Sequence, residues 1–94
     1  MELKNIVKAT CLLTSNGTPA HNQLRVQGED FLYFKSYDSI VVFIDKDKKT
    51  FIDEKTWKAT KTTSIYRMKF LGETLAETTQ KINAGIYQLA NLNP

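Results

Sequence analysis

The sequence predicts an α+β fold: a small antiparallel β-meander followed by two short C-terminal helices packed on the sheet. Three observations carry this. Residues 22–53 hold short apolar runs separated by polar turn residues, and the clearest runs alternate with period two. After Asp53 the apolar spacing changes to that of a helix. Gly72 and Gly85 each stand just past a helical run, where a left-handed residue closes a helix.

The elements follow in order. In residues 1–21, Leu3, Ile6 and Val7 have helical spacing, yet residues 9–15 suit a strand equally well. Asn16-Gly17 signals a turn and Pro19 opposes a central strand, so residues 15–20 are expected as a loop. The expectation for residues 1–21 is a partly ordered N-terminal segment. Residues 22–27 alternate, with Leu24 and Val26 on one side and Gln23, Arg25 and Gln27 on the other. Gly28-Glu29-Asp30 breaks the run, and residues 31–37 form the second strand of a hairpin. There Phe31, Tyr33, Lys35 and Tyr37 share one face, and Leu32, Phe34 and Ser36 the other. Asp38-Ser39 reverses the chain. Residues 40–44, IVVFI, are uniformly apolar and fit a central strand covered on both faces. Residues 45–49 make a charged hairpin tip, and residues 50–53 return as a short strand.

Residues 54–89 are expected to be the helical part. Thr62 or Thr63 can cap the first helix. Ile65, Met68 and Leu71 follow at helical spacing, with Tyr66 and Phe70 as a second apolar pair. Thr74 and Glu77 form a capping-box pattern for the next helix, whose stripe is Leu75, Thr78, Thr79 and Ile82. Tyr87 and Leu89 can seal an edge, and residues 90–94 are expected to fray. Ninety-four residues in all suit a single domain, 1–94, with a thin core.

Composition bounds the function. The net charge is +3, but it is unevenly placed. Residues 55–69 contain Lys55, Lys58, Lys61, Arg67 and Lys69 and no acid, whereas the other 79 residues carry eight basic and ten acidic side chains. Such a local field concerns partners rather than fold. Cys11 is the only cysteine, so no internal disulfide forms, and its apolar neighbours suit a buried structural thiol. No apolar run approaches a membrane span or a signal-peptide core, so the expected location is the cytoplasm.

Enzyme chemistry finds no footing in these residues. His21 is the one histidine, in a polar stretch without a visible orienting partner for a nucleophile. Asp45, Asp47 and Asp53 invite a calcium reading. Counted from Asp45, however, the fifth, sixth and twelfth loop positions hold Lys49, Thr50 and Thr56, where calcium needs oxygen ligands and a glycine. The four glycines are scattered and form no phosphate loop. The expectation is a non-enzyme with no cofactor and no metal.

The basic stretch is the candidate site. Lys55, Lys58, Lys61, Arg67 and Lys69 can meet phosphates, and hydroxyls at Thr60, Thr62, Thr63 and Ser64 can add contacts. Trp57 and Tyr66 are candidate aromatic contacts for bases, although both suit a core position as well. Arg67 falls inside an apolar sector of the helical wheel. It therefore either pairs with an acid of the sheet, Asp38, Asp45 or Asp53, or is presented to a ligand.

The segment FKSYDSIVVFID and the later pattern W…TTSIYRMKFLGET…KINAGIY resemble a family of small tailed-phage proteins, a domain of unknown function. The match falls on Phe34, Ser36, Tyr37, Trp57, Thr62, Thr63, Ser64, Tyr66, Arg67, Phe70, Leu71, Gly72, Gly85 and Tyr87. The resemblance implies phage origin and a host-cytoplasm setting, and it brings no catalytic residues. Two partner classes follow. One is nucleic acid, met by the basic stretch. The other is a host protein, an enzyme or defence component that the chain would inhibit through aromatic anchors such as Tyr33, Tyr37 or Trp57.

Overall fold

Strand propensity, turn chemistry and two capped helices build a six-stranded sheet with its helices inserted before the last strand. The computed structural model describes residues 5–94. The elements are β1 (Ile6–Leu13), β2 (Pro19–Gly28), β3 (Leu32–Ser36), β4 (Ser39–Ile44), β5 (Thr50–Asp53), α1 (Lys61–Leu71), α2 (Leu75–Asn83) and β6 (Tyr87–Ala90). The strands lie in sequence order across the sheet. The first five pair antiparallel as a meander, and β6 pairs parallel to β5. A parallel pair needs a crossover, which the two helices supply. α1 lies over β3 and reaches β1, and α2 lies along β6. The α+β class and the meander are as the sequence predicts.

Three expectations are corrected. Within the N-terminal segment, residues 6–13 form β1 paired with β2, and β2 begins at Pro19 rather than residue 22. Pro19 is tolerated because it is the first residue of its strand. The helical spacing drawn from Leu3 starts outside the described residues. β1 escapes a period-two reading because residues 6–10 are exposed on both sides, so nothing enforces alternation.

The second correction is the chain end, which does not fray. β6 joins the sheet, Leu92 is buried, and its N–H donates to Asp53 Oδ1 at 2.9 Å. The Asn93 side-chain amide accepts from Ile40 N–H at 2.7 Å and donates to Ile40 C=O at 2.9 Å, imitating one rung of a strand. The third concerns the α1 cap. Thr60, not Thr62 or Thr63, takes that role, its hydroxyl accepting from Thr63 N–H at 3.1 Å. Thr63 instead turns inward. The second helix starts as expected, with both halves of the Thr74–Glu77 capping box formed.

The core joins Phe34, Val41, Val42, Ile52 and Trp57, with Phe70, Leu71, Tyr66 and Ile82 packed against it from the helices. Phe34 and Phe70 stack with ring centroids 5.7 Å apart, which places the helices on the Phe34 face of β3. Within the IVVFI strand Val41 and Val42 are fully buried and the other three half-buried. A bulge explains two successive buried residues. Phe34 pairs with Val42 and Lys35 with Ile40, leaving Val41 as the extra residue that breaks the alternation. On the sheet's other face Phe31, Tyr33 and Phe43 stack at 5.8–6.3 Å. Phe31 lies directly on Gly28, where an added Cβ would stand 2.3 Å from its ring.

Candidate nucleic-acid interface

α1 has two chemically distinct sides. Thr63 and Arg67, four residues apart, are its buried positions. Lys61, Ile65 and Lys69 repeat at the same spacing on the outer side, and all three are exposed. At 1.5 Å per residue the two lysines are about 12 Å apart along the axis. Lys55 and Lys58 are exposed in the turn that leads from β5 into α1. Lys58 Nζ sits 4.9 Å from the Trp57 ring centroid. Lys69 Nζ sits 5.2 Å from the Tyr66 ring and donates to Leu13 C=O at 2.8 Å.

The structure therefore divides the candidate residues. Lys55, Lys58, Lys61 and Lys69 are each exposed. Tyr66 is half-buried beneath Lys69. Trp57, 7% exposed, and Arg67, 0% exposed, are core residues and offer a surface ligand nothing. The Arg67 side chain runs back along α1, as helical side chains do, so that Nη1 donates to the Trp57 carbonyl. Its guanidinium carbon lies 5.2 Å from the Trp57 ring centroid. Nε and Nη2 are buried with no hydrogen-bond partner among the described residues.

The ion pair expected for Arg67 with Asp38, Asp45 or Asp53 does not form among the described residues. Two of those carboxylates are committed elsewhere. Asp45 Oδ1 accepts from the Asp47 and Lys49 amides, both at 2.9 Å, and closes the β4–β5 turn. Asp53 accepts from Thr56 N–H at 3.0 Å, Thr56 Oγ1 at 2.6 Å and Leu92 N–H. Burial pushes the Arg67 pKa down, and the charge of Glu73 opposes that shift.

Glu73, at the corner between the helices, is itself almost fully buried. Its Oε2 accepts from Lys81 Nζ at 2.6 Å and its Oε1 from Thr78 Oγ1 at 2.9 Å. Burial alone would raise its pKa. Hydrogen bonds with Lys81, Tyr87 and Thr78, and the Lys81 charge, outweigh burial and hold it below the ordinary value. This cluster fastens α1, α2 and β6 together.

One end of the sheet adjoins the start of α1. Ser36, the last residue of β3, has its Oγ 3.0 Å from Thr63 Oγ1, which also accepts from Thr60 Oγ1 at 3.1 Å. The next residue, Tyr37, forms the β3–β4 turn with Asp38. Its φ is +53° and its N–H donates to Asn22 C=O at 2.8 Å. The sequence placed Tyr37 in a strand; the positive φ, invisible in composition, makes it a turn tip. The opposite end of the sheet holds a cavity of about 430 Å³, where Arg25, Lys46 and Lys48 face Glu29, Asp30 and Asp45. Its charges balance, so it favours neither anion nor cation.

The chain matches no family model, and no curated protein or solved structure matches it. Among the described residues no helix is long and apolar enough to cross a membrane.

Proposed function

We propose that this chain is a small phage-encoded accessory protein that binds nucleic-acid phosphates through α1 and the turn before it. The observation that supports this reading is the joint exposure of Lys55, Lys58, Lys61 and Lys69 on a stretch that contains no acidic residue from position 55 to 72. Four lysines near one helix create a field that a phosphate backbone meets in any sequence. Arg67 and Trp57 leave the contact set because they are buried. The reading includes no cofactor and no catalysis, and its setting is the host cytoplasm that the resemblance to the tailed-phage family implies.

A titration of a labelled 20-mer duplex tests it. Four phosphate contacts give a slope of log affinity against log salt near −3 to −4. Changing Lys55, Lys58 and Lys61 together to Glu weakens binding alike for every sequence, because phosphate contacts carry no base information. No binding of duplex or single strand at low salt and micromolar protein ends this reading.

The alternative is a protein-binding inhibitor of a host enzyme or defence system. Its expected anchors fare unequally: Tyr33 and Trp57 are 6% and 7% exposed, and only Tyr37 is open at 57%. One open aromatic does not make the cluster of anchors that such interfaces use. The phosphate reading therefore stands ahead.

A further inference from the structure

We propose that the preferred nucleic acid is single-stranded, with an unpaired base stacked on Tyr37 and neighbouring phosphates on Lys58 and Lys61. This rests on the phosphate reading of α1 and names its substrate class. Tyr37 is the only exposed Phe, Tyr or Trp among the described residues. It stands at the tip of a two-residue turn in a left-handed backbone conformation (φ +53°). Bulky residues rarely adopt that conformation, and glycine or asparagine is the usual occupant. An open aromatic ring at a position that suits Gly or Asn contributes little to folding, which leaves its face free for a ligand.

The turn that carries Tyr37 adjoins the start of α1. The Tyr37 amide is pinned to Asn22, and its neighbour Ser36 contacts Thr63 in the first turn of α1, two residues from Lys61. Lys58 precedes the Thr60 cap by two residues. An exposed aromatic beside a basic track is the arrangement that binds single strands, since every base offers a π-face and every linkage a phosphate. A duplex hides its base faces, so a ring at a turn tip gains nothing from it. Asp38, adjacent and exposed, is the opposing charge at this tip.

The test compares a labelled 20-mer single strand with its duplex at low salt. Wild type is expected to bind the single strand about tenfold tighter. Tyr37→Asn tolerates the left-handed backbone and removes the ring. It is expected to lose about tenfold on the single strand and nothing on the duplex, with an unchanged or higher Tm. Tyr37→Phe keeps wild-type affinity, because stacking does not need the hydroxyl. Asp38→Asn tightens both ligands. Tyr37→Gly serves as a second ring deletion if the Asn variant folds poorly. Equal affinity for duplex and single strand overturns the proposal, as does a ring deletion within about twofold of wild type on the single strand. If the lysine-to-glutamate variant still weakens binding in either case, phosphate binding stands without base stacking. Absence of binding to both ligands overturns both readings together.

Discussion

Arg67 shows how a single residue can mislead on function while serving the fold. Its guanidinium is wholly buried, bonded to the Trp57 carbonyl and lying near the indole ring, with two nitrogens unpartnered among the described residues. Arg67→Ala leaves a cavity and an unpaired carbonyl and is expected to cost about 2–4 kcal/mol. Arg67→Met keeps the volume without the buried charge and is expected to cost no more than about 1 kcal/mol. Urea denaturation checks both. An Ala variant as stable as wild type, with nucleic-acid binding lost, would return Arg67 to the ligand. Glu73 gives a second prediction at this scale. Its pKa is lowered in the folded state, so between the folded and unfolded values the unfolded chain binds more protons. Its contribution is therefore present above the ordinary carboxylate value, about 4.3, and is lost as pH falls through the lower folded value. Asp53 is shifted in the same direction. Urea midpoints from pH 7 to pH 3 should fall in wild type, and Glu73→Gln should flatten part of that fall. An acid limb identical in the variant would remove Glu73 from it.

At the scale of elements, local chemistry sets the boundaries. Gly85 closes the turn after α2 with φ +77°, which a β-branched side chain resists. Gly85→Val is expected to cost about 1 kcal/mol or more, read as a lowered Tm. That glycine was legible in the sequence, as were Gly72, the Thr74 capping box and the turn at residues 45–49. Their signals lie within a few residues of one another, so no distant partner is needed to read them. The tail is the opposite case. Leu92 looks like any residue near a chain end, yet its amide is held by Asp53, 39 positions earlier. Leu92→Ala is expected to cost about 2 kcal/mol, where a frayed end would show no change.

For the whole molecule, charge and topology are nearly independent. Lys55, Lys58, Lys61 and Lys69 are exposed on α1 and in the turn before it, outside the core packing of Phe34, Val42 and Ile52. The triple change of Lys55, Lys58 and Lys61 to Glu should therefore leave Tm within a few degrees of wild type while it weakens binding of the labelled duplex. A large loss of Tm would instead make these lysines structural. The candidate site was partly legible for the same reason. A run of lysines is visible in a linear sequence, but which of its neighbours face water is a property of the packed helix.

By itself, the sequence determined the α+β class, the β2–β5 meander, both helices and the local excess of basic residues from 55 to 69. Periodicity, caps and turn residues act over one or two turns of chain, and these features need nothing more. Only the tertiary structure decided that residues 6–13 are a strand, that β6 lies parallel to β5, and that the last residues clamp β4. It also decided that Arg67 and Trp57 are core and that Tyr37 is open. Each of these depends on pairing or packing between segments distant in the chain. There the free energy comes from shared hydrogen bonds and excluded water, and no single stretch carries the pattern that announces it.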